Sequence, residues 1–309
     1  MSKSRFNITN PIDSTLKKFQ HQEVRRWVLS WAFLLPLIAV ILTFRVAALI
    51  WNFYLSVHET TLIGGRTFVG LEHWSALIQD PVFHAALFNN FLFFLTIPVG
   101  IIIALAIALL LNQKFFGANS MRAIFFMPYI MMMVAVAVIW QYMFQTSSGV
   151  INTLLLNLGV IDSNIPWLSS SIWAKVSVFI VHIWKTVGFF MVIILAGLQT
   201  IPRQVYEVAR VDGASKWQRF RYITLPLLRP TLAVCTLVGM VTTFKLFDLV
   251  TVLTGGGPGV STEILLTFLY KEAMSYGHIG YGAAIAGAFW IVFNVVTLVL
   301  RTATSGVER

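Results

Sequence analysis

Six stretches of the chain are almost purely apolar: residues 28–50, 87–111, 124–145, 174–199, 229–252 and 282–300. Charges, glycines and prolines concentrate in the segments between them. About 20 helical residues cross a hydrocarbon core of about 30 Å, so each stretch is long enough to span with some tilt. The pattern predicts an all-α, polytopic membrane protein with six transmembrane helices. The first stretch exceeds the ~7–15 apolar residues of a signal-peptide core, and no small-x-small site follows it, so it is expected to stay as helix one. No repeat of 20–50 residues and no low-complexity tract stands out.

The polar segments set the orientation. Sixteen Lys and Arg residues lie in the N-terminal arm, in the segments after stretches two and four, and in the tail; Arg66 and Lys271 stand on the other side. Basic loops stay in the cytoplasm, so both termini are predicted cytoplasmic. The expected organisation is a cytoplasmic arm (1–27), a six-helix membrane domain (28–300) with a large cytoplasmic loop (200–228), and a cytoplasmic tail (301–309). An outer segment contains Thr254 to Gly259, T-G-G-G-P-G, a cluster of turn-formers expected to stop helix five.

Composition agrees. Of 309 residues, 58% are hydrophobic and 11% charged, against about a quarter charged in soluble domains. The net charge of +10 sits in short loops beside the membrane, which disfavours nucleic acid as a partner. The single Cys235 excludes an intramolecular disulfide. There is no G-x-x-x-x-G-K-[ST], so the chain is not expected to bind ATP itself. No H-x-x-x-H pair or metal-ligand set occurs, and no nucleophile has an identifiable acid–base partner. The chain is expected not to be an enzyme and to carry no cofactor or metal.

The loop from Glu207 to Pro230 reads E-V-A-R-V-D-G-A-S-K-W-Q-R-F-R-Y-I-T-L-P-L-L-R-P. Glu207, Arg210 and Val211 share a helix face, Asp212-Gly213 signals a turn, and Ala214 to Tyr222 reads as a second short helix. Pro202 and Pro226 mark the flanking helix ends. The residues alone allow either an ordinary basic loop or a lever lying at the membrane face.

Charges within the apolar stretches cost about 2.5–3.5 kcal/mol each at mid-helix. Arg45 is near the outer part of helix one and can snorkel. Lys245 and Asp248, at i and i+3, are placed to neutralise each other. Lys185 lies about 18 Å deep at 1.5 Å per residue, where a wet cavity, an acid or a carbonyl must receive it. Thr186 and Phe189 are its helical neighbours, and Gly239, Thr242, Thr243 and Leu246 form a stripe on helix five. Small and hydroxyl residues there serve a solute site or tight helix packing equally well. Trp140, Trp184 and Phe189 offer faces on which a sugar ring could stack.

Glu207, Ala209, Asp212, Gly213, Ala214, Phe220, Ile223, Leu225 and Pro226 resemble, in order and spacing, the E-A-A signature loop of inner-membrane permease subunits of binding-protein-dependent ABC importers. Val208 departs from the usual Ala. Phe68 to Trp74, Arg122 to Pro128, Gly149 to Asn152, Trp184 and Gly197-Leu198-Gln199 are also similar in order. Thr254 to Pro258 resembles the carbohydrate (maltose and glycerol-phosphate-like) branch. The resemblance implies a multi-pass subunit of the bacterial or archaeal cytoplasmic (inner) membrane. It implies a second permease subunit, two ATP-binding subunits that hydrolyse ATP, and an extracytoplasmic solute-binding protein. Glu207, Ala209, Asp212, Gly213 and Ala214 would couple to an ATP-binding subunit. Lys185, Thr186, Phe189, Gly239, Thr242, Thr243 and Leu246 would bind a sugar or related small polar solute moved by alternating access. A phosphate ester such as glycerol phosphate, or an ion-driven secondary transporter, are the alternatives.

Overall fold

The computed structural model describes residues 27, 29–60, 65–113 and 115–305. It divides into two units, Met1–Tyr54 and Leu55–Arg309. The predicted arm (1–26 of it), Lys114 and the end of the tail (306–309) lie outside the described residues.

The first unit contains α1 (Leu29–Ser56), whose last two residues pass into the second. A π-helical turn at Leu42–Val46 carries Arg45. The helix runs six residues beyond the predicted end at 50.

The second unit opens with a small hairpin, β1 (His58–Thr60) antiparallel to β2 (Arg66–Phe68), with Glu59 opposite Thr67. These strands qualify the all-α expectation: the chain is mostly helical. Next come α2 (Glu72–Gln79), α3 (Pro81–Phe93) and α4 (Thr96–Leu111). Asp80 starts α3 by accepting from the Val82 amide at 2.7 Å, with Pro81 preset for the first turn. The pair α3–α4 forms one apolar span, Pro81–Leu111. The rest are α5 (Ala118–Ile130), α6 (Met133–Met143), α7 (Val150–Asn157), α8 (Ser171–Thr200), α9 (Arg203–Val211), α10 (Lys216–Leu227), α11 (Arg229–Phe244), α12 (Phe247–Leu253), α13 (Leu265–Tyr270) and α14 (Ile279–Ser305).

Among the described residues four helices are long and apolar enough to cross a membrane, and six if each bent pair counts as one span. The bent pairs are α5–α6 and α10–α11, the latter bent by 61° at Leu228, just ahead of stretch 229–252. Stretch 124–145 breaks between α5 and α6 with a bend of 98°. Met131 and Met132 are extended there, three residues after Pro128 has removed a backbone donor. Stretch 229–252 breaks at Lys245-Leu246. Thr242 and Thr243 both donate to the Gly239 carbonyl just before this point, and such back-bonding bends helices. The second loop helix also differs from the reading 214–222. It starts at Lys216 and continues to Leu227, with Pro226 inside it. A π-helical stretch at Phe220–Thr224 widens the turn ahead of that proline.

The centre of the bundle is α8. Its Phe190, Met191 and Ile194 pack with Ala104, Ala108 and Leu111 of α4. Nearer its N-terminal end, Val178 and Val181 join Val136 and Ala137 of α6 and Leu249, Val250 and Leu253 of α12. A third cluster, with Leu77, Ala86, Phe268 and Ile285, joins α2, α3, α13 and α14.

Candidate functional site

The elbow between α9 and α10 is locked at both ends. The Ala214 amide donates to the Ala209 carbonyl at 2.9 Å and the Gly213 amide to Arg210 at 3.1 Å. This is the Schellman pattern, which needs a left-handed residue; Gly213 supplies it at φ +78°. Two residues on, Ser215 and Gln218 form a reciprocal capping box that starts α10. Tyr206 Oη and Thr224 Oγ1 lie 2.9 Å apart and brace the two helices together. The S-x-x-Q spacing is readable in sequence; the Tyr206–Thr224 brace is a tertiary contact without a local signal.

No residue of α9 is buried. Glu207, Asp212 and Gly213 are exposed, while Ala209 and Ala214 are half-buried. Val205, Val208 and Val211 stand exposed at three-residue spacing, with Val211 at 88%. An amphipathic helix that leaves an apolar stripe open on a preset elbow presents a docking surface.

The seven residues expected to touch solute separate into two groups. Lys185, Thr186, Gly239, Thr243 and Leu246 are buried within the chain itself. The Lys185 ammonium donates to the carbonyls of Pro128, Tyr129 and Met131. Those carbonyls end α5 and have no intrahelical partner, so Lys185 is the cap of a broken helix, with its charge at the negative end of the helix dipole. An ammonium has three donors, and all three are engaged. A carbonyl is one of the receivers expected from its depth. Thr186 donates to His182 at 2.8 Å. Gly239 lies against Ile97 and Phe190, with a Cβ there meeting Ile97 Cγ2 at 2.9 Å. Leu246 belongs to the α6–α8–α12 core.

Phe189 and Thr242 are half-buried. Phe189 stacks on Tyr129 with centroids 4.3 Å apart. Trp140 meets Trp184 edge to face at 5.4 Å. Lys245 and Asp248 do not pair: the helix break separates them, and both are exposed. Val241 and Lys245 before the break, and Asp248 and Thr251 after it, are all exposed.

Beyond α12, the T-G-G-G-P-G segment is held by a clasp. Lys271 Nζ donates to Glu263 at 2.5 Å and to the Gly255 carbonyl at 2.9 Å. Glu263 is 1% exposed. Asn89 donates to the Glu263 carbonyl at 2.8 Å, and Asn90 accepts from the Leu265 amide at 2.9 Å. Replacing Lys271 with methionine leaves a buried carboxylate without its counter-charge, a loss of about 3–5 kcal/mol. The thermal transition of the purified subunit complex should fall, and Lys271→Met combined with Glu263→Gln should recover most of the drop. An unchanged transition in the single variant would contradict this account of the clasp.

Comparison with known proteins adds the following. Residues 96–305 match the family described as binding-protein-dependent transport system inner membrane component. A probable ABC transporter permease protein of Pyrococcus horikoshii is 39% identical, over 86% of this chain and 92% of its own length. The sulfoquinovosyl glycerol transport system permease protein of Agrobacterium fabrum is 36% identical over 85% of each chain. The trehalose/maltose transport system permease protein of Thermococcus litoralis is 35% identical, over 91% of this chain and 94% of its own. In fold, the chain resembles one from a bacterial ABC transporter that imports the acidic polysaccharide alginate. The TM-score is 0.80 at 24% identity, covering 94% of this chain and 99% of that one.

Proposed function

The chain belongs to the family of binding-protein-dependent transport system inner membrane components, with sugar transport permeases among its relatives, and from that premise we propose that it moves a sugar or related small polar solute by ATP-driven alternating access. In this reading both termini face the cytoplasm. A second permease subunit completes the pathway, two ATP-binding subunits supply the work, and an extracytoplasmic binding protein delivers the solute. The named solutes of the relatives above, saccharides and a sulfosugar glycoside, support the solute class.

The observation that carries the proposal is the elbow. Its Schellman turn, capping box and Tyr206–Thr224 brace make α9 and α10 one stiff piece. Its open valine stripe and Glu207 provide the face that would seat in an ATP-binding subunit. A stiff lever passes a displacement on; a floppy loop absorbs it.

The exposed charges of Lys245 and Asp248 support a second permease chain. Both belong to an apolar stretch, where a charge facing lipid is costly. This face would border a watered path between the two permeases, with Thr242 and Phe189 beside it. Lys185 does not favour the phosphate-ester alternative, because its donors are spent on carbonyls.

Gly213 tests the lever. A residue with a Cβ in left-handed backbone costs about 1–2 kcal/mol, and Asn bears it better than most. Gly213→Val should cut solute-stimulated ATP hydrolysis and uptake at least roughly fivefold, the factor that 1 kcal/mol commands. Gly213→Asn should stay near the parent, and both variants should still insert. Normal stimulation in the valine variant, or in Glu207→Lys, would remove the elbow from coupling. The solute class is checked separately, by purifying the complex with its binding protein and finding which saccharide raises that protein's melting temperature.

A further inference from the structure

A cavity of about 1070 Å³ lies between the turn that follows α4 and the start of α9. Its lining includes Arg122 and Arg203, together with Asn112, Asn119, Ser120 and Tyr206. Among the described residues no carboxylate lines it. Two permanent positive charges, several amides and two hydroxyls therefore face one polar space, with no anion among the described residues to balance them.

The arginines are prepared for an acceptor. Arg122 is held in place, donating to Asn119 Oδ1 at 3.0 Å and to the Leu111 carbonyl at 2.6 Å. Its Nε is buried and has no acceptor among the described residues. That nitrogen has no open surface, so what Arg122 brings to the cavity is the charge of its guanidinium. Arg203 makes no ion pair among the described residues. The first turn of α5 also lines the cavity. Gly117 precedes it in left-handed backbone, and no side chain caps it. That turn adds the positive end of a helix to the same space. On the rim, Phe115 is 45% exposed and Phe116 fully so, as aromatic anchors at a membrane–water boundary are.

We propose that this cavity binds a phosphate anion, the headgroup of an anionic phospholipid of the cytoplasmic leaflet or a soluble phosphate, at the root of the elbow. The location rests on the cytoplasmic orientation proposed above. Guanidinium groups match phosphate oxygens by charge and by paired N–H geometry. Arg203 opens α9, and Tyr206 joins the cavity to the brace with Thr224. A bound phosphate therefore sits where it stiffens the lever and makes coupling sensitive to its occupancy.

The test uses the assembled importer complex, in vesicles of phosphatidylcholine with or without phosphatidylglycerol. Retained lipid is counted by mass spectrometry of the intact complex. This readout does not depend on ATP hydrolysis, so it stands even if Gly213→Val shows the elbow to be uninvolved in coupling. The parent should retain phosphatidylglycerol, and Arg203→Gln should lower its retention roughly fivefold, the worth of one surface cation. Arg122→Lys, which keeps the charge but loses the fork, provides a second variant should Arg122→Gln fail to fold. Inorganic phosphate is titrated as a competitor in the phosphatidylglycerol vesicles and as the sole added ligand in phosphatidylcholine alone. Displacement of the retained lipid, or binding of phosphate that Arg203→Gln weakens, identifies the soluble anion as a ligand of the same site. Equal retention in parent and Arg203→Gln, with no phosphate binding in either, would overturn the proposal.

Discussion

Replacing Gly188 with alanine is expected to strip the membrane of correctly assembled subunit. A Cβ at Gly188 would lie 1.8 Å from the Phe125 carbonyl oxygen and 2.6 Å from its carbon. The obstacle is backbone on a neighbouring helix, with no rotamer to turn aside. The two helices must part by at least about 1 Å, and overpacking of a filled core costs about 1–3 kcal/mol or more. The parting would also pull Lys185, three residues earlier on α8, away from the carbonyls that it caps. Gly100→Ala is the matched control. Its Cβ would meet Phe190 Cε2 at 3.6 Å, an ordinary contact. Yield and thermal stability of the purified complex should collapse for Gly188→Ala and hold for Gly100→Ala. Equal behaviour of the two would refute the close approach of α5 and α8.

Lys185→Met should be nearly as damaging. The stem is kept and the volume is similar, but three carbonyls at the end of α5 lose their donor. An unsatisfied buried acceptor costs about 1–3 kcal/mol. Even if relaxation rescues one, the summed loss of several kcal/mol is comparable to the whole stability of many domains. The result also separates two roles for Lys185. A capping residue loses stability and uptake together, for every solute and with no solute present. A solute ligand would leave the thermal transition alone and weaken only affinity. A normal transition with altered affinity would return Lys185 to the solute path.

Five of the seven residues expected at the solute site are buried within the chain itself. A stripe at helical spacing is a face only while the helix continues. Gly239 and Thr243 face the packing of α11, and Leu246 falls in the break between α11, which ends at Phe244, and α12, which starts at Phe247. The same break leaves Lys245 and Asp248 exposed and apart, where spacing on an unbroken helix would have paired them. Thr242 and Phe189, at the margins, keep part of their surfaces open.

Local composition was enough to reveal the membrane class, the apolar stretches and the elbow. Hydrophobic runs, Asp212-Gly213 and the proline positions act over a few residues, and their physics does not depend on distant partners. The positions of strain and capping were different. Gly188 reads as one more small residue until α5 arrives against it. Lys185 reads as a buried charge open to a wet cavity, an acid or a carbonyl until the bend at Met131 turns three carbonyls toward it. The bond from Asn89 to the Glu263 carbonyl and the cavity around Arg122 likewise join segments far apart in the chain. Local order follows from each residue's own conformational preferences and solvation. What a buried donor, a glycine or a cation does depends on which backbone is brought to it, and only the packed bundle decides that.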